Sequence, residues 1–144
     1  MTSTSRQKIF DKLQLLDQYL SYLQELKRET KTQEQFLKNF RIFGSTERYL
    51  QLTYQIIIDI LDIIIIEKGI EKPEDRRETI SLLYNKGIIS SDLAPQLEST
   101  VGLRNILVHH YGKIDRKKIY KQLTEKINYI KQFKKEILAY LKKA

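Results

Sequence analysis

The sequence predicts an all-α protein, an antiparallel four-helix bundle with one short accessory helix, and three observations carry that expectation. Apolar residues recur at intervals of three and four through most of the 144 residues, capping and turn residues divide the chain into five such stretches, and no stretch alternates with period two. Two stretches are long enough for rods of about 40 Å at 1.5 Å per residue, and short connections make neighbouring rods antiparallel.

The first helix is expected from about Ser5 to Thr30, because Leu13, Leu16, Leu20, Leu23 and Leu26 share one stripe; residues 1–5 are expected as a disordered polar N-terminus. Thr32 with Gln35 has capping-box spacing and opens a second helix, expected to run to Gly69 as one rod with its irregularity at Gly44. Its isoleucine-rich half, Ile56 to Ile66, has the propensity of a strand, but it continues a helical pattern without alternation and reads as helix. Lys72-Pro73 opens the short third helix and Gly87 stops it. Ser91 or Asp92 is positioned to cap a fourth helix that carries Pro95 in its first turn and reaches about His110, with Gly112 closing it. Asp115 then caps a last helix whose inner side holds Ile119, Leu123, Ile127, Ile130, Ile137 and Leu141.

At this length, with 41% hydrophobic residues, one domain spanning residues 1–144 with one core is expected. The absence of cysteine excludes a disulfide framework, a thiol nucleophile and any Cys-based zinc site. Met1 to Ser5 lacks the apolar core of a signal peptide, so the cytoplasm is the expected location. The most apolar segment, Tyr54 to Ile66, contains Asp59 and Asp62 and falls short of the roughly twenty apolar residues that span a bilayer, so no membrane partner is expected. Net charge is +8, and its placement is informative: Lys113 to Ala144 carries eleven basic side chains against Asp115, Glu125 and Glu136, which accounts for the whole excess. Such a basic helix suits a phosphate backbone or an acidic protein, and is also an ordinary solvated face.

The chemistry-bearing segment is Arg104-Asn105-Ile106-Leu107-Val108-His109-His110-Tyr111. With Arg104 at 0° on an ideal helix, Leu97 falls near 20°, Val108 near 40°, Val101 near 60°, Asn105 near 100° and His109 near 140°. Leu103, Ile106 and Leu107 lie on the other side, so this helix is expected to be buried against its own bundle and a second body. Were the helix to persist, Tyr111 would return to within about 20° of Arg104, and the polar groups could line one groove. Arginine binds a phosphate anion and histidine moves a proton near neutrality. RNA cleavage needs little more, because the ribose 2′-hydroxyl is the nucleophile: a base removes its proton, a cation stabilises the phosphate oxygens, and an acid protonates the leaving oxygen. No cluster of carboxylates and histidines suggests a metal, and no cofactor is expected. Asp59 and Asp62, carboxylates in an apolar run, need cationic partners, with Arg48 or Arg104 available; Asp59 is thereby a candidate supporting residue.

Arg104-x4-His109-x-Tyr111, with Asn105 directly after the arginine, resembles the signature of the HEPN ribonucleases, and within them the HepT-like toxins of toxin–antitoxin pairs. The order of Glu47-Arg48-Tyr49-Leu50-Gln51, Leu82-Leu83 and Tyr111-Gly112-Lys113-Ile114-Asp115 is similar as well, over essentially residues 6–142. The resemblance implies a HEPN-like bundle, an obligate homodimer with two motifs facing one cleft, and metal-free RNA cleavage. It implies a minimal nucleotidyltransferase (MNT) antitoxin as partner, one that silences the nuclease by attaching AMP to the motif tyrosine. Carried over, cleavage falls to Arg104 and His109, support to Asn105, and modification to Tyr111. His110 stands where the family is usually acidic or polar; spacing favours His109 as the catalytic imidazole and leaves His110 as a candidate supporting one. No base-reading pocket is recognisable, so tRNA and mRNA both stay open as substrates. A non-catalytic HEPN module that presents nucleotide or substrate to a nucleotidyltransferase is the alternative.

Overall fold

The computed structural model describes residues 1–144, apart from the side chain of Tyr111. Six helices follow in order: α1 (Ser3–Glu29), α2 (Gln33–Lys38), α3 (Phe40–Glu67), α4 (Arg76–Asn85), α5 (Leu93–His109) and α6 (Arg116–Lys143), with a 3-10 turn at Tyr111–Lys113 between the last two. No strand occurs among the described residues. The four long helices α1, α3, α5 and α6 make the bundle. α3 packs on α1, α2, α4 and α5, and α6 closes the bundle against α1, α2 and α5.

The core follows the apolar stripes. Leu13, Leu16, Leu20 and Leu23 of α1 are buried, as are all six inner residues expected on α6, joined there by Phe133. In α3 the isoleucine run is helical, with Ile56, Ile57, Ile58, Ile60, Leu61, Ile64 and Ile65 all buried, so burial on several sides rather than strand pairing accounts for its composition. α3 is long and apolar enough, by composition alone, to cross a membrane, but its apolar side chains are the centre of this core.

Local chemistry moves several expected boundaries. The rod beginning after Thr32 breaks at Asn39 rather than at Gly44, which lies within regular helix. Asn39 adopts an extended backbone (φ −108°, ψ 92°), its N–H donates to the Phe36 carbonyl, and its side chain accepts from the Ile42 N–H at 3.2 Å. One asparagine thus ends α2 and caps α3, which a glycine without a side-chain acceptor cannot do. Thr32 caps α2 as expected, with Gln35 reaching back to the Lys31 N–H at 2.8 Å.

The short helix begins at Arg76, not at Pro73, because the Asp75 carboxylate accepts from the Arg77 N–H at 2.9 Å and supplies the cap. Gly69 and Gly87 both take positive φ (71° and 74°), where glycine has no Cβ penalty, and end α3 and α4 as expected. Neither Ser91 nor Asp92 caps α5. The Ser90 hydroxyl accepts from the Leu93 N–H at 3.2 Å, itself fixed by Glu136 of α6, whose carboxylate accepts from the Ser90 N–H and hydroxyl at 2.7 and 2.8 Å.

The expectation of disorder over residues 1–5 is corrected too. α1 starts at Ser3 because Thr2 caps it, and Glu67 at the end of α3 accepts from the Thr2 N–H and from the Ser5 hydroxyl. The Ser5 hydrogen bond holds the Glu67 carboxyl below its usual pKa. Arg6 then donates to the carbonyls of Leu141 and Ala144, tying α1 to the end of α6.

Candidate active site on the C-terminal end of the fifth helix

Of the expected site residues, Arg104, Asn105 and His109 lie on the last two turns of α5 and His110 is its C-cap, whereas Asp59 lies on α3. Leu93, Leu97 and Leu107 are the buried residues of α5, and they place Arg104 within the apolar side of the helix. Arg104 is accordingly half-buried, and its Nε is buried without a hydrogen-bond partner among the described residues. A half-buried guanidinium whose buried Nε donor is unused is suited to an anion.

Asn105 and His109 point away from the bundle. Both are exposed, as are Glu98 and Gly102 on the same side, while Leu103 and Ile106 are only half-buried. The expected burial of this helix against a second body is therefore not met within the chain: its outer strip is open.

α5 ends at His109. His110 is its C-cap (φ −137°, ψ 52°), with its N–H donating to the Ile106 carbonyl at 2.9 Å, and the chain turns through Tyr111–Lys113. The helix does not persist to Tyr111, so the angular argument that returned its ring to Arg104 does not apply; the side chain of Tyr111, the expected modification site, lies outside the described residues. The rings of His109 and His110 stand 6.5 Å apart at 72°, both exposed, so the structure offers two imidazoles at the helix end.

Asp59 and Asp62 have partners other than those expected. Asp59 accepts from Gln55 at 2.9 Å and pairs with Lys12 of α1 at 3.5 Å, not with Arg48 or Arg104. Asp62 holds Arg76 at 2.7 Å and Lys72 at 3.1 Å, which draws the segment before α4 back onto α3. Among the described residues, no three His, Asp or Glu side chains gather as a metal-ligand set.

Two features near the site escaped sequence reasoning. Glu47 of α3 is buried, and both its oxygens accept from Arg116 Nε at 3.1 Å, with Arg116 Nη2 at 2.9 Å from Oε1. The same guanidinium lies 4.3 Å from the centre of the Phe43 ring. Arg116 is the first residue of α6, so this contact pins the end of the turn that follows the motif. A carboxylate amid the apolar α3 was the available signal; its partner, far away in sequence, was not.

The second is a groove of about 440 Å³ between α5 and α6, bordered by Lys113, Lys118 and Lys126. Lys126 is half-buried, and its ammonium pKa is held down by burial first and by the nearby Lys118 second, with Glu125 opposing.

The model of the Ribonuclease HepT-like family matches residues 16–137. A tRNA nuclease HepT from Aphanizomenon flos-aquae is 31% identical over 141 residues, covering 98% of this chain and 95% of that protein. An mRNA nuclease HepT from Shewanella oneidensis is 32% identical over 81 residues, 56% of this chain and 61% of that protein. Among solved structures, a tri-AMPylated Shewanella oneidensis HEPN toxin in complex with its MNT antitoxin superposes with a TM-score of 0.83 at 24% identity, covering 96% of this chain and 99% of that one.

Proposed function

Since the chain belongs to the Ribonuclease HepT-like family and is an RNA nuclease, we propose that it acts as a cytoplasmic toxin that cuts RNA without a metal ion and is silenced by a nucleotidyltransferase antitoxin. The observation that carries the cleavage mechanism is Arg104: a half-buried guanidinium with an unpartnered Nε, on the same helix end as the exposed His109. A phosphodiester brought to that end meets a cation that stabilises charge developing on its non-bridging oxygens. His109 takes the proton from the ribose 2′-hydroxyl, the 2′-oxygen bonds to phosphorus, and the 5′-oxygen leaves with a proton.

One imidazole cannot be base and acid on the same substrate at once, so the acid is assigned to a second copy across the open strip of α5. Asn105, exposed beside His109 on that strip, is positioned to hold a phosphate or ribose oxygen. Tyr111 is assigned as acceptor of AMP, which adds a bulky anion to the turn directly after His110 and opposes binding of the RNA phosphates by charge and volume. The MNT antitoxin and the AMP groups of the Shewanella complex support, by analogy, a partner that transfers AMP to the toxin.

The test is cleavage of an RNA pool by the purified chain in EDTA. Activity should persist in chelator and fall by at least about a hundredfold in His109→Ala, with His110→Ala affected far less. Loss in EDTA restored by magnesium, or an active His109→Ala protein, defeats the scheme.

A further inference from the structure

The groove between α5 and α6 is unused by the chemistry above, although it begins beside it. Lys113 belongs to the turn that follows His110, and Lys118, Gln122 and Lys126 recur every four residues, forming one row down α6. From Lys118 to Lys126 the row covers about 12 Å at 1.5 Å per residue. Ser99 faces it from α5, and Leu103, Ile106 and Ile119 supply an apolar floor. None of the three lysines has an ion-pair partner among the described residues. The carboxylate at the rim, Asp115, is engaged in capping the Lys118 N–H at 3.1 Å. The groove is thus a row of cations without an ion-pair contact among the described residues over an apolar floor, one of them partly withdrawn from water with its pKa lowered.

Charge complementarity selects a polyanion, and the floor selects one with apolar parts between its charges. We propose that this groove is a second RNA contact, separate from the cleavage site, that holds the backbone of the single strand leading away from His109, with Lys118 and Lys126 each taking a phosphate. The inference rests on the ribonuclease reading. Ribose and base edges lie on the half-buried Leu103 and Ile106, with Ile119 beneath them, and Gln122 and Ser99 offer hydrogen bonds without demanding a base. This contact contributes binding and strand direction, not chemistry.

The experiment measures binding of a short labelled single-stranded RNA to the full chain carrying His109→Ala, over a range of salt concentrations. For a single strand the slope of log K against log salt is about −0.7 per neutralised phosphate, so Lys118→Gln with Lys126→Gln should flatten it by about 1.4 and weaken binding roughly tenfold. Lysine-to-arginine replacements at both positions should keep the slope. Lys86→Gln with Lys143→Gln removes the same charge at a separate groove between the end of α4 and the end of α6 and should leave the slope nearly unchanged. With His109 restored, the Lys118/Lys126 variant should raise KM with little change in kcat.

An unmoved slope, or an equal loss from the Lys86/Lys143 pair, overturns the groove while leaving the nuclease reading intact. Unchanged RNA binding with weakened antitoxin binding overturns it as well, and makes the groove a protein surface. If the unsubstituted chain neither binds nor cuts RNA, the nuclease reading falls and the groove falls with it.

Discussion

Arg104 and Glu47 show how differently a half-buried and a buried charge fare against the same core. Glu47 is buried with its cation, Arg116, within 2.9 Å, whereas Arg104 keeps a buried donor unspent. Removing one partner of a buried pair costs more than the pair contributes, because the other charge stays desolvated. Arg116→Ala should therefore destabilise the protein by about 2–3 kcal/mol, and Glu47→Gln, which leaves a half-exposed arginine and retains an acceptor, by less. Urea midpoints for the two variants check the order; equal midpoints would contradict it. Tyr111→Phe, by contrast, should leave stability and cleavage unaltered while removing the oxygen that would take AMP. Intact mass after incubation with antitoxin and ATP reads the outcome: an AMP adduct on the phenylalanine variant equal to that on the parent would exclude Tyr111.

Asn39 is the element-scale counterpart, one side chain serving two helices. Asn39→Ala deprives α3 of its cap and should lower stability by about 1 kcal/mol, seen as a reduced thermal midpoint with nearly unchanged helix content. Helix existence, the leucine and isoleucine stripes, the stops at Gly69 and Gly87 and the cap at Asp115 were all readable in the sequence, because each depends on residues within a turn or two of one another. The break at Asn39 was less so: asparagine is ordinary in a helical pattern, and the glycine five residues later was the stronger local signal. The start of α5 was misread for a different reason. Ser91 and Asp92 are locally as good as Ser90, and the choice is made by Glu136, which belongs to another helix. The site divides the same way. Arg104, Asn105 and His109 could be placed from helical spacing, while the partners of Glu47, Asp59 and Asp62 and the lysine-lined groove exist only once distant helices meet.

Across the whole molecule, the chain leaves open the strip of α5 that bears Glu98, Gly102, Asn105 and His109. A second copy seated there would complete the base and acid pair, so the chain should sediment as a dimer, with specific activity falling as dilution separates the copies. A fully active monomer would remove the composite site. The central place of α3 has a consequence for how the protein opens. Ile57, Ile60 and Ile64 are essentially inaccessible, and the helix that carries them is packed on four others, so its amides become available to solvent only when the entire bundle comes apart. Deuterium should enter α4 and residues 68–75 early and the middle of α3 last. The exchange rate there then reports the free energy of global unfolding, and a ligand held by any pair of helices should slow that one helix.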